Sequence, residues 1–147
     1  MSMNAFSGAI PTELCQLSLL TGLWMYQNKL TSTIPTQLDR LENLLQLSMF
    51  SNKLLGPIPK LSSNLRGLWL DDNKLTGTIP EDLLFSSTMV SIHLFSNQLR
   101  GSLPDFPRQV GGALQELRLE RNQLTGTLPT TLGNLHASLE WLQLSQK

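Results

Sequence analysis

The chain has one cysteine, Cys15, in 147 residues, so no internal disulfide is available. Cys15 lies in an apolar stretch between Leu14 and Leu17, where a lone thiol is expected to act as a small core side chain rather than a nucleophile. Charge is also scarce: charged residues make up 15% of the chain, and 11 Lys and Arg balance 11 Asp and Glu. Without a basic surplus the chain lacks the electrostatic footprint of a nucleic-acid or acidic-membrane binder, and no nucleic-acid partner is expected. No apolar run approaches the ~20 residues that cross a bilayer, so this segment is not expected to insert in a membrane. The opening MSMNAFSGAIP has neither the basic start nor the apolar stretch of a signal peptide. No Asn-x-Ser/Thr sequon occurs. Nucleophile elbow, phosphate loop and zinc-ligand spacing are likewise missing, and Asp71-Asp72 lacks the ligand loop of a calcium site. An enzyme, a metal site and a cofactor are therefore not expected.

What the chain does have is an internal repeat, the feature that decides its architecture. Asn4, Asn28, Asn52, Asn73, Asn97 and Asn122 are spaced by 24, 24, 21, 24 and 25 residues. Two residues after each stands a large apolar side chain (Phe6, Leu30, Leu54, Leu75, Leu99, Leu124). Four after stands glycine, or serine at Ser32, and a branched aliphatic followed by proline comes next, from Ile10-Pro11 to Leu128-Pro129. Before each asparagine from Asn28 onward runs L-x-x-L-x-L, as in Leu44/Leu47/Met49 and Leu114/Leu117/Leu119, and Leu139/Leu142/Leu144 opens a further copy.

Each position has a physical task. The L-x-L segment is a short strand with alternating inward and outward sides. The asparagine amide carries two donors and an acceptor for the turn that follows, where an unsatisfied buried backbone group costs about 1–3 kcal/mol. Glycine permits a tight bend, and proline fixes φ as the second extended piece ends. One copy cannot bury its own leucines, whereas stacked copies share a continuous core.

The pattern L-x-x-L-x-L-x-x-N-x-L-x-G-x-I-P resembles the plant-type leucine-rich repeat, a family that includes ectodomains of receptor-like kinases and receptor-like proteins, and polygalacturonase-inhibiting proteins. The resemblance covers essentially the whole chain. It implies a single domain, residues 1–147: an α/β solenoid, a right-handed superhelix with a parallel concave β-sheet, little helix, and about five full and two partial repeats. Three departures stand out. Ser32 replaces glycine. The stretch from Lys60 to Asn64 is three residues shorter than its counterparts, which predicts a bare turn on the convex side. The paired cysteines that cap family ectodomains are absent, which reads as a fragment with open end coils able to self-associate.

The repeat also assigns each strand residue a side. Equivalent positions in successive copies form columns about 4.8 Å apart. The column between the two strand leucines reads Trp24, Ser48, Trp69, His93, Arg118, Gln143. Two residues further on it reads Tyr26, Phe50, Asp71, Phe95, Glu120, Ser145, and two residues earlier Gly22, Gln46, Gly67, Ser91, Glu116, Trp141. All three tryptophans and the only tyrosine thus fall on a face the core does not need, and exposed aromatic area of this kind marks interaction sites. The candidate partner-binding residues are Trp24, Tyr26, Phe50, Trp69, Asp71, His93, Phe95, Arg118 and Glu120. The blander possibility is that such rings merely shield the sheet. Lys29, Lys53 and Lys74 form a short basic column read as a solvated edge. The T-x-T pairs Thr31/Thr33, Thr76/Thr78 and Thr125/Thr127 are interrupted by Leu55/Pro57 and Arg100/Ser102, too broken for a flat ice-binding ladder.

The expected function is recognition of a protein or peptide ligand through the concave aromatic face. By resemblance, the setting is the cell surface or the extracellular space, in a receptor-like or secreted recognition protein. Two other readings stay open: an inhibitor of a secreted hydrolase, and a structural assembly module with no dedicated ligand.

Overall fold

The computed structural model describes residues 4–107 and 113–145. Among them, twelve short strands follow in chain order. They are β1 (Ser7–Gly8), β2 (Gly22–Trp24), β3 (Lys29–Leu30), β4 (Gln46–Ser48), β5 (Leu55–Gly56), β6 (Gly67–Trp69), β7 (Lys74–Leu75), β8 (Ser91–His93), β9 (Arg100–Gly101), β10 (Glu116–Arg118), β11 (Gln123–Leu124) and β12 (Trp141–Gln143). Six of them form one parallel sheet in the order β12-β10-β8-β6-β4-β2, one strand per repeat. The short strands after each asparagine pair in parallel on the flank, β1 with β3, β5 with β7 and β9 with β11. An isolated bridge from Thr33 to Leu55 links β3's repeat to the next. The chain is an α/β leucine-rich-repeat solenoid poor in helix.

The opposite side of four coils is closed by a single helical turn: 3₁₀ at Thr12–Gln16, Thr36–Arg40 and Thr130–Leu135, and α1 at Glu81–Leu84. Pro11, Pro35, Pro80 and Pro129 immediately precede these turns with φ between −60° and −65°. Proline has this φ built in and has no N–H to leave unpaired at a helix start. Each proline carbonyl accepts the turn's first backbone hydrogen bond, as from Leu38 to Pro35 at 3.2 Å. The short copy behaves as its length predicts: after Pro59 the chain makes only a turn before β6.

The core is a column of aliphatic side chains. Leu44, Leu47, Met49, Leu54, Leu65, Leu68, Leu70, Leu75, Ile92, Leu94, Leu99 and Leu117 are all within 1% of complete burial. These are the strand and post-asparagine positions the repeat marks as inward. Cys15 is buried in the same core, and burial pushes its thiol pKa up, which keeps it a structural side chain.

The asparagine ladder fixes the strand-to-flank turn. The Oδ1 of Asn73 accepts the Leu54 N–H at 2.9 Å, and its Nδ2 donates to the carbonyls of Met49 and Leu70 at 3.0 and 3.1 Å. Asn52 and Asn97 repeat the arrangement one coil to either side. Each amide thereby ties its own coil to the one before it.

Candidate partner-binding face

The outward side of the six-stranded sheet takes its geometry from the strand register. Trp24, Ser48, Trp69, His93, Arg118 and Gln143 are successive cross-strand neighbours, and so are Gly22, Gln46, Gly67, Ser91, Glu116 and Trp141. The ladder continues past the strand ends, with Gln27 N–H donating to the Phe50 carbonyl, Ser51 to Asp71, Asp72 to Phe95 and Ser96 to Glu120. Tyr26, Phe50, Asp71, Phe95 and Glu120 therefore form the second column.

Trp24, Tyr26 and Trp141 are exposed at 57%, 44% and 61%, while Phe50, Trp69, His93, Phe95, Arg118 and Glu120 are half-buried. Asp71 stands in its expected column but is only 8% exposed, and Ser48 in the neighbouring column only 4%. An outward direction does not make a small side chain accessible when larger neighbours in adjacent columns close over it.

The ring contacts fall into two groups. Tyr26 and Phe50 stack with centroids 4.6 Å apart and planes within 3°, close to the strand spacing itself. Trp69 meets His93 edge-on at 6.1 Å, and His93 lies 6.4 Å from Phe95. Asp71 separates the two groups in the column. Both half-strands of sequence Gly-Leu-Trp use the glycine in the same way. A methyl group on Gly22 or Gly67 would lie 2.3 or 2.2 Å from the far edge of the Trp24 or Trp69 indole. Each indole thus leans back along its own strand over the bare glycine.

Beyond Phe95 the face becomes polar. His93 Nε2 lies 2.8 Å from Glu116 Oε2, and Arg118 donates to Glu120 Oε1 at 2.6 Å and to Gln143 Oε1 at 2.7 Å. The Arg118 guanidinium also sits 4.5 Å from the Phe95 ring centroid, a cation–π contact. Burial pushes the Asp71 carboxyl above the usual carboxylate range, opposed by its own backbone amide and by His93 and Arg118. A shallow cavity of about 350 Å³ beside this cluster is lined by Phe95, Arg118, Glu120, Arg121, Gln143 and Ser145. The geometry offers aromatic surface, one desolvated carboxyl and paired charges. Among the described residues no three His, Cys, Asp or Glu side chains converge as a metal site.

Two features lie outside what the repeat pattern predicted. Asn43, Asn64 and Thr88, nine residues before the ladder asparagines, bond back to the carbonyls of Ser18, Glu42 and Ser63 in the preceding coil. They make a second polar ladder at the strands' other end. The residue just before the asparagine is left-handed in five copies: Gln27, Ser51, Asp72, Ser96 and Arg121, with φ from 52° to 57°. A recurrent amide or hydroxyl nine residues ahead of the asparagine was the available signal for the first; no shared residue type marks the second.

Residues 64–85 and 113–135 match the family model described as Leucine Rich Repeat. Among curated proteins none matches the chain. Solved structures similar to it include the Arabidopsis receptor kinase HAESA in complex with the peptide hormone IDA and the co-receptor SERK1, at 31% identity and a TM-score of 0.89 over 100% of this chain and 25% of that one. A TDR receptor gives 31% identity and 0.84 over 92% of this chain and 24% of that one. A plant ice-binding protein gives 34% identity and 0.79 over 86% and 42%. The chain spans about a quarter of the length of the two receptor chains. Repeat pattern, sheet register, family model and these likenesses agree: the chain is built of plant-type leucine-rich repeats.

Proposed function

We propose that the chain is a recognition module that binds a protein or peptide ligand on its concave face, as part of a receptor-like protein whose ligands are met at the cell surface. The observation that carries this is the placement of exposed aromatic area. Trp24 and Tyr26 stand well exposed beside Phe50 and Trp69 on a sheet face whose inward side already supplies the core. A monomeric surface gains nothing in folding from rings in water, whereas Trp and Tyr supply large contact area with little conformational freedom to lose on binding. The similar HAESA structure holds a peptide hormone and a co-receptor, which supports the same class of partner here. The polar half of the face, with its His93–Glu116 and Arg118–Glu120 pairs, supplies orientation more than affinity, because each of these groups already has a partner of opposite character within the chain.

The test is selection of displayed random peptides on the purified chain, followed by rebinding to the Trp24→Ala/Trp69→Ala double variant. The variant should keep the circular dichroism spectrum of the parent and lose at least tenfold in affinity for the selected peptides. Peptides that bind parent and double variant equally well would place recognition elsewhere on the solenoid.

A further inference from the structure

The column Tyr26, Phe50, Asp71, Phe95, Glu120 is interrupted at its centre by an acid, and the surroundings of that acid specify a ligand group. Tyr26 and Phe50 sit on adjacent strands and stack face to face, so their ring planes stand across the column. Asp71 is the next residue of the column on the side of Phe50 away from Tyr26. Phe95 lies on the far side of Asp71, two strand spacings or about 10 Å from Phe50. Less the thickness of two rings, that separation is the width of one compact group, and a group seated there would meet Asp71 by displacing the neighbouring side chains that leave it 8% exposed. Phe95 already carries the Arg118 guanidinium at 4.5 Å, which shows the ring acting as a cation platform within this structure.

The local charges are unbalanced in the same sense. Four carboxylates, Asp71, Asp72, Glu116 and Glu120, share this part of the face with two guanidiniums, Arg118 and Arg121, and one imidazole, His93. Glu116 pairs with His93, Glu120 with Arg118, and Asp72 accepts the Ser51 hydroxyl at 2.9 Å. Asp71, although more than nine-tenths buried, has no side-chain donor within hydrogen-bond distance among the described residues, only its own backbone amide. The second oxygen of Glu120 is buried without a hydrogen-bond partner among them. The centre of the face therefore holds more desolvated acceptors than donors, an arrangement that is costly until a donor arrives. Lys53 and Lys74 stand beyond the asparagine turn, Lys53 just before β5 and Lys74 at the start of β7.

We infer that Asp71, framed by Phe50 and Phe95, is a subsite for a cationic group of the ligand, a Lys or Arg side chain or an N-terminal amine. This deepens the concave-face reading and rests on it. Approach of the cation offsets the desolvation of Asp71 while the two rings supply cation–π attraction.

The test is peptide selection run in parallel on the parent chain, Asp71→Asn and Asp72→Asn, each first checked for an unchanged circular dichroism spectrum. The parent and Asp72→Asn should enrich Lys or Arg at one position of the selected peptides. Asp71→Asn should lose that enrichment, and peptides taken from the parent should bind it at least tenfold more weakly. Equal enrichment on Asp71→Asn, or enrichment of Asp and Glu on the parent, overturns the subsite while leaving concave-face recognition standing. Selected peptides indifferent to both Asp71→Asn and the tryptophan double variant overturn both. Should Asp71→Asn misfold, n-butylguanidinium is titrated into the isotope-labelled parent. Saturable shifts of the Phe50, Asp71 and Phe95 amides support the subsite. Shifts elsewhere, or produced there equally by butyrate, overturn it.

Discussion

Replacing Asn73 by Ala separates the ladder's structural role from mere sequence periodicity, because the consequence differs group by group. Asn73 supplies four hydrogen bonds: one accepted from the Leu54 N–H, and three donated to the carbonyls of Met49, Leu70 and Asp71. The carbonyls do not become orphans. Met49 keeps the Asn52 amide at 3.0 Å, Leu70 keeps the Asn97 amide at 3.0 Å, and Asp71 keeps the Ser51 N–H at 3.0 Å. The Leu54 N–H, on a residue with no exposed surface, has no such substitute. One buried, unsatisfied amide costs about 1–3 kcal/mol, and the weakened carbonyl bonds together add about 1 kcal/mol. The expected destabilisation is therefore about 2–4 kcal/mol. Asn28→Ala removes the same chemistry in a coil where Phe6, its acceptor's partner, is exposed and its N–H can turn to water, so the loss should be below about 1 kcal/mol. Asn97→Ala, which strands the Leu75 N–H in the buried core, is the control and should match Asn73→Ala. Urea unfolding followed by circular dichroism reads all three, with the denaturant slope unchanged if the native coils persist. Equal midpoint shifts for Asn28→Ala and Asn73→Ala, or a negligible shift for Asn73→Ala, would refute the assignment of the ladder as the buried satisfier of the turns.

Two further outcomes follow from the backbone and from the buried acid. Ser32 has φ 73° where Gly8, Gly56, Gly77, Gly101 and Gly126 occupy the equivalent site at φ 73–87°, so Ser32→Gly should stabilise the chain by about 1 kcal/mol in the same urea assay. The Asp71 carboxyl, raised by burial against the pull of His93 and Arg118, binds its proton more tightly folded than unfolded. It therefore lowers stability as pH rises from the unfolded carboxylate pKa of about 3.9 through its folded value. Asp71→Asn should be more stable than the parent at pH 7 and lose that advantage below about pH 4, where both states hold the proton. Thermal melts across that range decide it, and an advantage independent of pH would contradict the assignment.

The architecture was legible because its determinants recur at fixed offsets. Asparagine, glycine and proline each answer a local backbone requirement, and the same requirement returns once per coil. The short copy could be read as a bare turn from its length alone. The face was legible in direction but not in depth. The register placed Asp71 and Ser48 outward, yet their burial depends on how far larger side chains in adjacent columns extend, which no offset encodes. The roles of Gly22 and Gly67 as seats for Trp24 and Trp69 were hidden for the same reason, since they arise from rotamers rather than spacing. The left-handed residues before Asn28, Asn52, Asn73, Asn97 and Asn122 carry no distinctive signal, because Gln27, Ser51, Asp72, Ser96 and Arg121 share only a polarity that any surface turn shows. That conformation is imposed by the turn, whose amide and carbonyl bonds to the neighbouring coil outweigh a strain of about 1–2 kcal/mol.

The tryptophan indole N–H resonances offer the most direct measurement of concave-face recognition. They can be assigned by single replacement and followed while a peptide selected on the chain is titrated in. Binding on the concave face predicts that the Trp24 and Trp69 signals shift and saturate together with the peptide. Unmoved indole signals, with saturable shifts confined to the convex turns at Thr36–Arg40 and Glu81–Leu84, would contradict it.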